Sequence, residues 1–320
     1  MSMHKYILRR LIDSASTLFF IIVANFFLFR LMPGDPIKLM IKSYRLTQSM
    51  IVRLNQLYGM DKPMWQQFFI YIRNMLTFDL GMSFRYHTPA APLILDKVGN
   101  SILLLLAAIT LAMSIGIVAG LIAGWFHGKP IDISLVTSSL FFYCMPTFWI
   151  AMVFAAAFVT ILPISGMHTL TLYNASWFGR LLDLGKHLIL PTMVMTILYI
   201  GEMLILARNE VSNILTQDYI NTAKAKGLSP RQIIFRHVLR NASLPLVSNA
   251  GISLAFLVGG SLQAEIIFSW PGVGRLMYGA AMARDYTVLQ GCFYVFSLTV
   301  LIANFLTDIA YKYLDPRVEY

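Results

Sequence analysis

The densest run of charge in the chain is Asp218–Arg240, DYINTAKAKGLSPRQIIFRHVLR, which carries Asp218, Lys224, Lys226, Arg231, Arg236, His237 and Arg240. These residues form no catalytic or metal-binding motif. What they offer is recognition, the docking of a soluble partner. Asp218 can cap a short helix, and Lys224 and Lys226 suit its last turn, where cations complement the helix dipole. Gly227 stands where a helix ends in the left-handed conformation. Ser229 can cap a second short helix, with Pro230 at its first position, where no backbone donor is needed. The expectation is two short helices joined by a tight turn.

Elsewhere the signatures of chemistry are missing. There is no Gly-x-x-x-x-Gly-Lys-[Ser/Thr] loop, so the chain is not expected to hydrolyse ATP. Gly128-Lys129 is no such loop, because Gly124 is one residue too close and Pro130 replaces Ser or Thr. His-Glu-x-x-His and Gly-x-Ser-x-Gly are also absent, which removes the usual marks of a membrane protease or lipase. The six histidines are scattered without ligand spacing, so no metal is expected. Cys144 and Cys292 lie in apolar segments and read as buried thiols. An ion-driven carrier would need ionisable groups deep in the membrane. Glu202 and Glu265 come nearest to that, and both fall near span ends.

The elements that hold the charged stretch are apolar. Of the 320 residues, 58% are hydrophobic and 12% charged, and the mean hydropathy is +0.68. That composition excludes a soluble globular protein and reads as one all-α polytopic membrane domain. Six spans are expected, at about 11–31, 101–126, 133–163, 188–208, 241–265 and 286–312. The stretch 209–240 then joins the fourth and fifth. The net charge of +10 fits basic loops of a membrane protein better than a nucleic-acid surface, since flanking spans leave no free recognition domain. A signal peptide is a poorer reading of 11–31, which contains Asn25 and Arg30 and lacks a small-residue cleavage site.

Basic residues set the expected orientation. Residues 1–10 and the stretch 208–242 are rich in Lys and Arg, which places both termini and the charged stretch in the cytoplasm. The long loop 32–100 then lies outside. Within it Trp65, Phe68, Phe69, Ile72, Met75 and Leu76 follow helical spacing and are expected to form one apolar face. Ile164–His187 reads as a second polar outer loop, with a glycosylation-type triplet at Asn174-Ala175-Ser176. Gly116, Gly120 and Gly124 recur at every fourth residue, which invites close approach of another helix. Pro146 is expected to kink the third span, and Pro191 to sit in the first turn of the fourth. Gly259-Gly260 offers close packing or a break in the fifth. The candidates for a pathway lining are Pro146, Asn249, Ser253 and Glu265.

The charged stretch is similar to the cytoplasmic coupling loop of ABC importer permeases, in the form found in the dipeptide and oligopeptide branch. The resemblance rests on Ala-Lys-Ala-Lys-Gly-Leu-Ser, Arg-His-Val-Leu-Arg-Asn-Ala and Leu244-Pro245. Asn221, Thr222 and Ala223 stand where the general importer motif has Glu-Ala-Ala, and Gly227 matches. Leu239 fits, while Arg240 replaces the motif's Pro. Leu31–Pro36, Tyr58–Pro63, Asp79–Ser83, Phe268–Gly274, Arg284-Asp285-Tyr286 and Tyr313–Arg317 resemble the same branch, so the likeness covers nearly the whole chain.

The resemblance implies a type I ABC importer permease with six transmembrane helices. It implies a second, homologous permease, two ATP-binding cassette ATPase subunits and an extracytoplasmic binding protein as partners. ATP and Mg would sit on the ATPases, and this chain would bind no cofactor. Residues carried over to ATPase coupling are Tyr219, Thr222, Ala223, Lys224 and Ala225, then Lys226, Gly227, Leu228, Ser229 and Pro230. Peptides lead as substrate, and the same branch also imports nickel, glutathione and oligosaccharides.

Overall fold

A computed structural model describes residues 3–31, 61–169, 171 and 176–314, with backbone alone at some helix positions, 250–260 among them. Among the described residues there is no strand, only an isolated antiparallel bridge between Met82 and Pro89. The helices are α1 Met3–Leu31, α2 Met64–Leu76, α3 Ala90–Trp125, α4 Pro130–Tyr143, α5 Thr147–Phe158 and α6 Trp177–Leu215. They continue with α7 Asp218–Ala225, α8 Pro230–Ile233, a π-helical turn at Ile234–Val238, α9 Leu239–Ile267, α10 Val273–Ala283 and α11 Tyr286–Leu314. The segments Leu31–Pro36, Tyr58–Pro63 and Tyr313–Arg317 lie wholly or partly outside the described residues.

Helices α1, α3, α6 and α11 are long and apolar enough to cross a membrane, and α4 with α5 is apolar enough for a fifth crossing if the bent pair counts as one span. Helix α9 has 29 residues, longer than the ~20 that a span requires. Each of the six expected spans therefore falls on a helix or a helix pair. The chain divides into two compact units, Ser101–Pro271 with Ala303–Tyr320, and Ser2–Asn100 with Gly272–Ile302.

In the first unit α6 is the central helix, packed against α4, α5 and α9. The glycine face of α3 lies directly on α6. A Cβ on Gly116 would stand 2.6 Å from Met203 Cβ, one on Gly120 2.5 Å from Ala207 Cβ, and one on Gly124 2.7 Å from Val211 Cβ. The three glycines thus meet the expectation of close approach, since lipid offers helices no hydrophobic drive to associate and contact must come from packing.

Four expectations are corrected here. The third span is not kinked but broken: α4 and α5 meet at 97°. Pro146 is extended (φ −61°, ψ 130°), so α4 ends at Tyr143 and the chain restarts at Thr147. The new helix is closed by Trp149 and Ile150 amides on the Pro146 carbonyl. The break also leaves Cys144 exposed, whereas Cys292 is buried as expected. The outer loop 164–187 is helical from Trp177, because Ser176 caps α6 by accepting the Gly179 amide. Pro191 therefore sits inside the helix and not in its first turn. Asn174 and Ala175 lie outside the described residues. Helix α9 runs through Gly259-Gly260 without a break.

In the second unit α2 forms where the spacing predicts it, and its apolar face is only partly covered by the rest of the unit. Met75 is buried, while Trp65, Phe69 and Leu76 are more than 60% exposed. The inner contact is made instead by Phe68, whose ring lies 5.2 Å from that of Phe26 in α1. Beside it Tyr71 receives Asn25 Nδ2 at 2.9 Å, and that amide also reaches the Gln290 carbonyl at 3.1 Å. Two of the family-like outer segments meet at Asp285, which is 1% exposed. Its Oδ2 accepts the Ser83 hydroxyl at 2.6 Å and the Arg85 amide at 3.1 Å. Its Oδ1 caps α11 through the Val288 amide.

Candidate functional site

The charged stretch is built on α6. Helix α6 ends at Leu215, and Gln217 takes the N-cap position of α7 without a side-chain bond. Asp218, expected as the cap, is instead the first helical residue, where its charge still suits the dipole. At the other end Lys226 is the C-cap and Gly227 adopts φ +77°. The Gly227 amide donates to the Lys224 carbonyl at 2.9 Å and the Leu228 amide to the Ala223 carbonyl at 3.2 Å. This paired closure is the Schellman arrangement, and it requires a left-handed residue at the glycine position. Ser229 then caps α8 in a full capping box: its Oγ accepts the Gln232 amide, and Gln232 Oε1 accepts the Ser229 amide at 2.8 Å. Pro230 occupies the first helical position.

The expected second short helix is not separate. Helix α8 passes through the π turn Ile234–Val238 into α9, so the chain is helical from Pro230 to Ile267. A π turn inserts one extra residue into a helix, and here it falls seven residues before Pro245, which has no amide to donate. Helix α7 is thus the one short element, bracketed by two helices that run into the membrane.

Its two faces differ sharply. Ile220 and Ala223 point inward and join Ala207, Val211 and Ile214 of α6, and Val238, Ala242 and Leu246 beyond the turn, in one buried cluster. Leu228 packs on that cluster as well. Tyr219, Thr222, Lys224, Ala225 and Lys226 are exposed, as are Gly227, Ser229 and Pro230. Asn241 Nδ2 ties α9 back to α7 by donating to the Tyr219 hydroxyl at 3.1 Å. The arrangement offers a polar outer face on a rigid apolar base, with no catalytic group on it.

Just behind this unit lies an ion pair that the sequence did not single out. Asp132, in the first turn of α4, is 1% exposed, and Arg208 of α6 grips it with Nε at 2.6 Å and Nη2 at 2.8 Å. The Gly128 amide gives the same carboxylate a third donor at 2.8 Å. Two-point contact of this kind fixes orientation as well as distance. In the sequence its signal was a charge at the edge of each of two apolar runs, 133–163 and 188–208.

Two of the four pathway candidates, Asn249 and Glu265, are placed by hydrogen bonds. Asn249 Nδ2 donates to Glu202 Oε1 at 2.8 Å, across from the break at Pro146. Glu265 is fully buried and accepts the Ser101 hydroxyl at 2.6 Å, which ties α9 to α3. The side chain of Ser253 lies outside the described residues. No group of three or more His, Cys, Asp or Glu residues able to hold a metal occurs among the described residues.

Among the described residues this is an all-helical polytopic protein, with a short, largely exposed helix mounted between two spans. The model of binding-protein-dependent transport system inner membrane components matches residues 116–320. The corresponding N-terminal model matches residues 3–105. The chain belongs to that family and is a permease component of an ABC importer. It is 33% identical over 323 residues to the oligopeptide transport system permease protein AppB of Bacillus subtilis, covering 99% of this chain and 100% of the relative. It is 31% identical over 337 residues to the dipeptide transport system permease protein DppB of Escherichia coli, covering 99% of each. A probable peptide ABC transporter permease protein of Sinorhizobium fredii is 32% identical over 318 residues, 98% of this chain and 99% of the relative. Among solved structures, the MetNI methionine ABC transporter in an inward-facing conformation matches with a TM-score of 0.54 at 17% identity, over 70% of this chain and 96% of that one. That likeness carries the fold, the type I importer permease.

Proposed function

We propose that this chain forms one half of a translocation pathway for peptides, and that α7 with its Gly227 turn receives the stroke of an ATPase. Support for the substrate comes from relatives named for dipeptide and oligopeptide transport, aligned over essentially the full chain. A second homologous permease completes the pathway. Two ATPases bind ATP and Mg beneath it, and an extracytoplasmic protein delivers the peptide. Both termini and α7 lie in the cytoplasm, on the side where basic residues concentrate.

The observation that carries the coupling role is the mounting of α7. An ATPase that closes on nucleotide displaces the exposed face at Thr222, Lys224 and Lys226. The buried face at Ile220 and Ala223 belongs to the same cluster as α6 and α9, and packed interiors transmit displacement without absorbing it. Helix α9 and α6 then tilt together, and the pathway opens to alternate sides. Asn249 lies on α9, one of the two helices that move, and its partner Glu202 lies on the other.

The test is reconstitution of the whole transporter in proteoliposomes with its binding protein outside. Uptake of radiolabelled dialanine should require both ATP and the binding protein. A binding protein that ignores peptides and takes nickel, glutathione or an oligosaccharide would contradict the substrate assignment.

A further inference from the structure

The break in the third span opens a cavity of about 370 Å³, lined by Tyr143, Met145, Thr147, Leu198, Tyr199 and Glu202. That volume lies within the usual span of small-molecule sites, ~300–1,000 Å³. Its wall is open to one side, where Tyr143 is 56% exposed. Three features of this lining favour a positive charge. Glu202 is a carboxylate toward one end of the fourth expected span, held in place by Asn249 Nδ2 at 2.8 Å. Intramembrane acids are costly to keep and mark the path of a cation or its counter-ion. Tyr143 and Tyr199 present two aromatic rings, whose faces attract cations. Finally, α4 ends at Tyr143, and a helix C-terminus carries about half a negative charge. The described lining contains no basic group.

A divalent metal is a poor occupant. It would need several hard or imidazole ligands, and the lining supplies one carboxylate with two phenols, one hydroxyl and one thioether. An organic ammonium asks for a single counter-ion and aromatic faces, which is what is present.

We propose that this cavity is a transit site for the protonated amine of the transported peptide, with Glu202 as its counter-ion. The inference rests on the peptide reading above and names where in the chain the amine is received. It also gives the helix break a purpose: a continuous helix would fill the space that the amine occupies. Asn249 acts as a positioning residue, keeping the carboxylate turned to the cavity.

The experiment compares wild type, Glu202→Gln and Glu202→Asp in the whole transporter in proteoliposomes, with dialanine as probe. Gln matches Glu in size and can still bond Asn249, but it has no charge; Asp restores the charge on a shorter stem. The binding protein sets how much loaded carrier half-saturates uptake, so that concentration should not move. The maximal uptake rate should fall at least tenfold in Glu202→Gln, and Glu202→Asp should recover a substantial part of it. A Glu202→Gln transporter within twofold of wild type overturns the proposal. So does a pair in which Gln and Asp are equally impaired, because the charge would then be irrelevant. If wild type itself fails to move dialanine but moves another substrate, the peptide reading falls and the transit site falls with it. That result is distinguishable, since it is read before any variant is compared.

Discussion

Gly120→Ala tests the seam between α3 and α6. The added Cβ would lie 2.5 Å from Ala207 Cβ, 2.6 Å from the Leu204 carbonyl oxygen and 3.0 Å from the Arg208 amide nitrogen. Carbon atoms rest comfortably at about 3.5–4.0 Å, so the shortfall is about 1 Å or more. Two of the three neighbours are backbone and cannot rotate away. The helices must separate, and overpacking of this kind costs ~1–3 kcal/mol. The separation falls beside Arg208, so the grip on Asp132 is strained as well. Gly99→Ala, on the same helix, is the control, because nothing lies within 4 Å of its added Cβ. Thermal unfolding of the detergent-solubilised complex, followed by size-exclusion, should show Gly120→Ala losing several degrees relative to Gly99→Ala. At ~2–4 °C per kcal/mol for a large domain, that matches the estimated cost. Equal stability of the two variants would refute the reasoning and turn this glycine face toward lipid.

Asp132→Asn removes one charge of a pair whose partners are 1% and 24% exposed. Breaking a fully buried pair costs ~3–5 kcal/mol, and the partial exposure of Arg208 puts the loss at or below the low end, read as reduced yield of assembled complex. Ser229→Ala removes the capping box of α8 and should cost ~1 kcal/mol, seen as weaker retention of the ATPases during purification. Charge reversal at Lys224 should lower uptake only modestly, because an exposed ion pair contributes ~0–1 kcal/mol. A phosphatase fused after Asp61 should be active outside the cytoplasm and one fused after Ser229 inactive; activity at Ser229 would reverse the proposed orientation.

Much of the molecule was legible because the membrane simplifies the code. Uncharged runs such as 101–126 have to be helical, since backbone groups in lipid find no other partner. The turn at Gly227 and the cap at Ser229 were also readable, because each depends on one residue type at one position. What escaped depended on partners distant in sequence. Whether Pro146 bends a helix or breaks it depends on how α4 and α5 pack on α6, not on the proline alone. Helix α6 begins outside the expected span because Asp183 is buried and takes two bonds from Thr169, a pairing that apolar periodicity does not register. The Asp132–Arg208 and Asn249–Glu202 contacts bridge 76 and 47 positions, and no local pattern announces them. Cys144 looked buried because its neighbours are apolar, and the break exposed it.

The central claim is that α7 and its glycine turn carry the stroke of the ATPase. Gly227→Val addresses it most directly. At φ +77°, with nothing within 4 Å of an added Cβ, the substitution acts through the backbone strain of a β-branched residue in the left-handed region. Left-handed backbone costs an ordinary residue ~1–2 kcal/mol, enough to re-angle α7 without unfolding the spans. The measurement is ATP hydrolysis by the nanodisc complex with and without loaded binding protein. The account predicts that Gly227→Val reaches the membrane in normal amounts but is no longer stimulated by the loaded binding protein. Full stimulation, together with full uptake in proteoliposomes, would contradict it and leave 218–230 a simple connector.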